Sequence, residues 1–419
     1  MLRKIIVPVM PRTSPEPCTD AGGTPPRLAP SAETPAPAYA PLARSITAFV
    51  LTALLATGQL YAVIPLMDQL ADDWNTPATS MTWMASAFGF GYAGGFVLFG
   101  PLSERYGHRR VIVAGLAATA ITTAFIAAAP GFGTAVALRV LQGIATAAFP
   151  PTVLAYIAQR IAPSRRALTT AAVTTSFLAS AVVGQLAAQT IGDALGWRAV
   201  FLASAAGFAA MAVILLLVML PHPRGGTASP LEAYRAIPAL LRAPRLRLLY
   251  AATPAVFGSF VAVYTGIQLS GIVTDPRDLV ALRASALPVM VAVPLLTPWL
   301  SRIRSDVRVT LAMLLSAVAL LVIGVMSPGS TAMAVLLMAF AAGITITAPA
   351  MLQTVGARTD TALSTAISLS TFWFFVGASL GPQLAAVVTP HGFDVLLYTL
   401  ATVLTVGAAL VLASQERSR

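Results

Sequence analysis

Apolar residues fall along this chain in blocks, each closed by a short polar break, and each block is near the roughly 20 residues a helix needs to cross a bilayer core. Twelve such blocks are legible: residues 46–67, 80–102, 111–129, 134–158, 167–189, 198–220, 248–272, 280–300, 309–327, 331–355, 362–388 and 393–414. The break after 129 is only Pro130-Gly131-Phe132-Gly133. Residues 1–43 are different in kind, proline-rich with Ser, Thr and Ala, and predict a disordered tail that cannot bury a core. The apolar run after Arg3 and Lys4 is too short and proline-broken for a signal-peptide core, which needs about 7–15 residues.

Charge placement orders these blocks. With the N-terminus inside, one side receives Arg105, Arg109, Arg110, Arg160, Arg165, Arg166, Arg224, Arg235, Arg242, Arg245, Arg247, Arg302, Arg304, Arg308 and Arg358. The other receives Asp68, Asp72, Asp73, Asp193, Asp275, Asp278 and Asp394, with Arg198, Arg277 and Arg283. This excess of arginine on one side predicts that both termini are cytoplasmic; the membrane expected is the plasma (inner) membrane of a bacterium. The net charge of +11 then follows from topology and not from nucleic-acid binding.

Composition agrees: 57% of residues are hydrophobic and 10% charged, against about 25% charged in soluble domains. The single cysteine, Cys18, and three scattered histidines, His108, His222 and His391, give no basis for a disulfide, a metal site or another cofactor. No histidine or acid lies inside a span, so an enzyme is not expected.

Segments recur. Ala167-Leu168-Thr169-Thr170-Ala171 parallels Ala362-Leu363-Ser364-Thr365-Ala366, and Gln185-Leu186-Ala187-Ala188 parallels Gln383-Leu384-Ala385-Ala386. Gly143-Ile144-Ala145-Thr146 before Pro150 parallels Gly343-Ile344-Thr345-Ile346 before Pro349. The near-constant offset predicts a parallel repeat of six helices, the arrangement of two transporter halves about an axis along the membrane normal. The expected fold is thus an all-α membrane protein, twelve transmembrane helices in two pseudo-symmetric six-helix bundles. Its expected parts are a tail (1–43), an N-terminal bundle (44–220), a cytoplasmic linker (221–247) and a C-terminal bundle (248–415).

Between the second and third blocks the chain reads Gly100-Pro101-Leu102-Ser103-Glu104-Arg105-Tyr106-Gly107-His108-Arg109-Arg110. This resembles the signature loop of the major facilitator superfamily, with Glu104 in place of the usual Asp and His108 in place of a basic residue. Arg139, Gln142 and Gly143 resemble the Arg-x-x-Gln-Gly motif of the drug- and sugar-efflux branch, and Gly196-Trp197-Arg198 resembles it too. The resemblance covers about residues 45–415. It implies a conformational latch built from Gly100, Leu102, Glu104, Arg105, Gly107 and Arg109, closing on the start of the eleventh span near Asp360 and Ala362. The Gly-Pro pair that marks drug antiporters is missing from the fifth span; a Gly377/Gly381-Pro382 version stands in the eleventh.

Arg139 is an intramembrane charge and so a candidate for transport or coupling; the alternative is that it snorkels to the interface, roughly 8 Å away. Asp68 is the nearest candidate for a coupling acid; the alternative is a solvated acid beside Asp72 and Asp73. By resemblance, the first, fourth, seventh and tenth spans line the pathway, which nominates Gln59, Tyr61, Gln142, Tyr264, Gln268 and Gln353. Trp373, with Phe374 and Phe375, would add an aromatic wall. For the glutamines and tyrosines an interhelical hydrogen bond is the competing reading. The Gly89, Gly91, Gly94 and Gly95 cluster reads as close helix packing.

The function implied is alternating-access efflux of small organic or lipophilic compounds, with proton antiport carried over from the family alone. The partners are a small-molecule substrate, protons and the lipid bilayer, without nucleic acid, and the protein is expected to be a monomer. The alternative is a sugar or metabolite exporter or facilitator of the same fold without proton coupling. An intramembrane enzyme or receptor is a distant third.

Overall fold

The computed structural model describes residues 39–221, 234–273, 275–359 and 363–416. The expectations placed on residues 1–38, on the linker stretch 222–233, and on Asp360 and Ala362 lie outside the described residues.

The first half is built from α1 (Leu42–Tyr61), α2 (Met67–Asp73), α3 (Thr82–Tyr106), α4 (His108–Ala127), α5 (Phe132–Thr146), α6 (Pro150–Arg160), α7 (Pro163–Leu195) and α8 (Trp197–Val218). After α9 (Ile237–Arg242) in the linker, the second half comprises α10 (Pro244–Ala252), α11 (Pro254–Ser270), α12 (Pro276–Ala284), α13 (Leu287–Leu300), α14 (Ser305–Met326), α15 (Ser330–Gly356), α16 (Leu363–Val388) and α17 (Phe393–Glu416). Eleven helical segments among the described residues are long and apolar enough to cross a membrane. The eighth predicted block, 280–300, is the exception. It is divided between α12 and α13 at Ser285-Ala286.

Proline explains where blocks break or helices start. A proline in the first helical turn loses no ladder bond, because its missing N–H has no intrahelical acceptor there. Pro150 opens α6 after a turn at Ala147–Phe149, so the fourth span is stepped. Pro254 opens α11 directly after Thr253 and steps the seventh. Pro163, Pro244 and Pro276 start α7, α10 and α12, the last capped by Asp275, which accepts from the Arg277 N–H at 2.8 Å. The signature segment is less of a loop than expected. Residues 100–106 continue α3, the chain turns at Gly107 (φ 89°), and α4 begins at His108. A side chain at that φ would be strained, so Gly107 is what makes so tight a turn possible.

Helix pairing repeats between the halves. α1 packs on α7, α4 on α8 and α4 on α5; their counterparts are α11 on α16, α14 on α17 and α14 on α15. Lipid tails give no hydrophobic drive for helix association, so small residues and close backbone approach carry it. A Cβ built at Gly184 would stand 2.7 Å from the Gly58 carbonyl oxygen, joining α7 to α1. A Cβ at Gly377 would stand 2.1 Å from the Pro254 oxygen, joining α16 to α11 at the repeat-related place. In the α3 glycine cluster, Gly91 and Gly95 let α5 approach, Gly89 admits Ser379 of α16, and Gly94 faces open space. Apolar side chains such as Ile121, Phe125 and Leu217 (78% exposed) project outward, as a lipid-facing surface requires.

The halves meet along two seams, α3 against α16 and α7 against α12 and α13. These seams are themselves repeat-related, the second span with the eleventh and the fifth with the eighth.

Candidate functional site

Arg139 is wholly buried (0% exposed) inside the first half. Its Nε donates to the Met84 carbonyl at 2.8 Å, Nη1 to Gln142 Oε1 at 2.7 Å, and Nη2 to the Gln59 carbonyl at 2.8 Å. The guanidinium also lies over the Phe88 ring, 4.5 Å from its centroid. Gln142, one helical turn on and so on the same face, donates to Thr123 Oγ1 at 2.7 Å and to Gln59 Oε1 at 3.2 Å. Gln59 in turn donates to Ser204 at 3.1 Å. One polar chain therefore ties α1, α3, α4, α5 and α8 together. Gly143 belongs to it sterically: a Cβ there would stand 2.1 Å from the Phe88 oxygen, so only glycine lets α5 approach α3 this closely. Arg139 does not snorkel. Each guanidinium nitrogen donates to a protein acceptor, and no carboxylate stands among those acceptors.

The second constellation lies between the halves, on the face that carries Asp68 and Asp193. Gln268 on α11 donates to Asp68 Oδ2 at 2.8 Å. Arg283 on α12 donates through Nη2 to Gln268 Oε1 at 2.5 Å and through Nη1 to Gln189 Oε1 on α7. Arg283 is only 2% exposed, whereas Asp68 and Asp193 are exposed. Farther along the α3–α16 seam, Ser86 donates to the Ser379 carbonyl at 2.5 Å, and Gln383 donates to Ser86 at 2.9 Å and Thr82 at 3.2 Å. Deeper still, Phe375 sits edge-on to Tyr92 (4.6 Å between centroids) and stacks on Phe96 (5.2 Å). Tyr61 and Tyr264 come together through Phe260, at 6.0 and 4.9 Å, and Phe340 stacks on Phe260 at 6.2 Å. The Tyr264 hydroxyl is buried without a hydrogen-bond partner.

On the opposite, arginine-rich face a small cleft lies in the seam. Glu104 is exposed and lines this cleft of about 90 Å³ with Gly100, Pro101, Tyr234, Ile237, Thr365, Ser368 and Leu369. Among the described residues the ion pairs are Arg198–Asp73 and Arg304–Asp306, so Glu104 forms none. Arg105 lies over the Tyr106 ring at 5.6 Å, and Arg109 donates to the Leu216 carbonyl at 2.5 Å, tying α4 to the end of α8. Leu102 is half-buried beside them.

Other nominated residues fall elsewhere. Gln353 is exposed at the arginine-rich end of α15, where Arg308 donates to it, and does not join the aromatic cluster. Trp373 packs on Phe372 at 5.3 Å; of its three-residue run, Phe375 is the one that faces the first half. Sequence reasoning passed over Arg283, Gln189, Ser86 and Gln383. The signal for Arg283 was present: it stands three residues inside the block 280–300, and an intramembrane arginine points to function by default. Ser86 and Gln189 carry no such mark.

Known proteins place this architecture. A probable transporter of Streptomyces coelicolor is 29% identical over 257 residues, 57% of this chain and 59% of that protein. The multidrug efflux pump LfrA of Mycolicibacterium smegmatis is 30% identical over 170 residues, 40% of this chain and 33% of its own. The tetracenomycin C resistance and export protein of Streptomyces glaucescens is 26% identical over 154 residues, 36% of this chain and 28% of its own. In each case the match spans less than two thirds of the relative's length. Among solved structures, a POT family transporter superposes with a TM-score of 0.68 at 13% identity, over 89% of this chain and 96% of that one. The human organic anion transporter MFSD10 gives 0.66 at 16%, over 88% and 99%. At these identities the likeness is one of fold. The Major Facilitator Superfamily model matches residues 49–382; the chain belongs to that superfamily of membrane transporters.

Proposed function

We propose that this protein exports small organic or lipophilic compounds by alternating access, with protons as the exchanged ion. The arginine-rich face is the cytoplasmic one in this reading, both termini lie there, and the membrane is the bacterial inner membrane. The observation that carries the proposal is the asymmetry of the seam. On the aspartate face the halves are joined by side-chain hydrogen bonds, while on the arginine-rich face Glu104 and Thr365 flank a small cleft. One end tied by side-chain bonds, with a cleft between the halves at the other, fits one half of an alternating cycle.

The strength of the closed end fits a switch. Five bonds cross the seam there: Asp68–Gln268, Arg283–Gln189, Ser86–Ser379, Gln383–Ser86 and Gln383–Thr82. Interhelical bonds in a membrane average about 0.6 kcal/mol each, so the set contributes about 3 kcal/mol. A few kcal/mol is the gap that a ligand's differential affinity can reverse. In this reading Arg139, Gln142 and Gly143 act by holding the first half rigid, and Glu104, Arg105 and Arg109 act at the opposite end of the seam. The export of drugs and of tetracenomycin by two relatives supports efflux as the direction.

A second reading, exchange or facilitation of a metabolite without protons, is favoured by one observation. Among the described residues the buried acid is Asp306, in the first turn of α14 on the arginine-rich face. A proton carrier would be expected near mid-membrane, where burial raises a carboxyl pKa. Proteoliposomes loaded with a pH-sensitive dye separate the readings. A compound that dissipates an imposed proton gradient only with protein present supports antiport. Compounds that cross while the gradient stands support the second reading, and the absence of any protein-dependent flux refutes both.

A further inference from the structure

Arg283 is a buried cation at the junction of the two halves whose bonded acceptors are both neutral. Its terminal nitrogens, Nη1 and Nη2, donate to the amide oxygens of Gln189 and Gln268 respectively. Burying an unpaired guanidinium is expensive, and two amide oxygens offset only part of that cost. The carboxylates in electrostatic range, Asp68 and Asp193, are exposed, and neither is within ion-pair distance. Asp68 instead accepts from Gln268. A charged acceptor is thus the one thing this position lacks.

The geometry says which acceptor fits. The Nη1–Nη2 edge is the fork that grips a carboxylate or sulfonate through two parallel hydrogen bonds, each roughly twice as strong as a bond to a neutral oxygen. Both prongs are occupied by amide oxygens, one from each half. One turn before Gln268, on the same face of α11, stands the Tyr264 hydroxyl, buried, without a partner and able to donate a further bond. Tyr264 in turn packs in the aromatic group of Tyr61, Phe260 and Phe340. A cation, a spare hydroxyl donor and an aromatic wall form a recognition set for an organic anion with an apolar body.

We propose that Arg283, assisted by Tyr264, anchors the anionic group of a lipophilic organic anion, and that this capture releases the closed end of the pathway. The anion takes both prongs of the fork. The Arg283–Gln189 bond between the halves is lost, and among the described residues the side-chain hydrogen bond that remains between the halves beside it is the exposed Gln268–Asp68 bond. Substrate charge and gate opening are read by one side chain. This inference rests on the transporter reading above and names its substrate class.

Three dansyl probes with the same apolar body test it: dansylglycine (anionic), dansylglycinamide (neutral) and N-dansylethylenediamine (cationic). Fluorescence titration of the purified full-length protein in detergent is expected to show dansylglycine binding at least tenfold tighter than the other two. Arg283→Gln should remove that preference, and Arg283→Lys should retain part of it. Tyr264→Phe, a gentler change, should weaken dansylglycine alone by about threefold to tenfold, the range of one hydrogen bond. Equal binding of the three probes to the unmodified protein overturns the proposal without any variant, as does an anion preference that survives Arg283→Gln. In proteoliposomes, flux of the amide or amine without the anion sinks the substrate class and leaves the transporter reading standing. Binding with the anion preference but no flux of any compound does the reverse.

Discussion

Replacing Arg139 by methionine separates a structural tether from a bare buried charge. The variant keeps most of the side-chain volume and removes three hydrogen bonds, to Met84, Gln59 and Gln142, together with the contact over Phe88. In membrane proteins such bonds reach about 1.7 kcal/mol each at the strong end, appropriate to a charged donor. The desolvated cation–π contact adds about 2 kcal/mol. Against these stands the relief of no longer burying a charge, about 3 kcal/mol on insertion scales. The tethers win by up to about 4 kcal/mol. The Met84 carbonyl lies inside α3, whereas Gln59 sits in the last turn of α1, where carbonyls have no helical partner, so the change strands the Gln59 carbonyl as well as the Gln142 amide oxygen. For a chain of 419 residues that corresponds to a fall in unfolding temperature of up to about 5 °C. Intrinsic tryptophan fluorescence during a thermal ramp in detergent measures it. An Arg139→Met protein that unfolds at the unmodified temperature or above would refute the reasoning, because relief of burial would then outweigh the whole network.

Gly377→Ala should sharply reduce folded yield, since its Cβ would lie 2.1 Å from backbone oxygen, whereas Gly94→Ala, facing open space, should express and unfold as the unmodified protein does; size-exclusion profiles compare them. With Cys18 replaced by serine, a cysteine at Ser379 reports opening of the α3–α16 seam. Adding Gln383→Leu removes two seam bonds, about 1.2 kcal/mol, and should raise labelling from the aspartate face by an impermeant maleimide about eightfold. Unchanged labelling would mean these bonds do not hold the seam shut. Glu104→Gln should leave the unfolding temperature within about 1 °C, because an exposed, unpaired carboxylate contributes under about 0.5 kcal/mol. A larger drop would place Glu104 in a contact that stabilises this conformation.

The helices were legible because a lipid-facing surface forces apolar residues into blocks of a set length. Depth along each helix follows from position in the block, and the alternation of Arg and Asp between breaks orders the ends. Direction around the helix axis does not follow. Residues advance about 100° each, so Trp373 and Phe375 face roughly opposite ways, and only contacts reveal that Phe375 is the one turned to the other half. Gln268 and Gln353 look alike on pathway-lining spans. One meets Arg283 between the halves and the other ends at Arg308, because their heights differ. The steps at Pro150 and Pro254 were hidden for another reason: a proline within an apolar block reads equally as a kink, a break or a helix start. Arg139 was visible as a buried charge, but its three acceptors include two backbone carbonyls, and backbone acceptors leave no trace in a side-chain pattern.

The paired glycine contacts, Gly58 with Gly184 and Gly258 with Gly377, have a consequence for how such a protein diversifies. Where backbone touches backbone, no side chain remains to be varied, so the frame of each half has few acceptable alternatives. Between the halves the joints are made mostly by side chains, glutamines, serines, a threonine, an aspartate, one arginine and a handful of rings, and most of these can be exchanged without disturbing a helix. Selection for a new cargo, or for an easier or stiffer gate, can therefore act on a thin layer of interchangeable parts while two rigid castings stay the same.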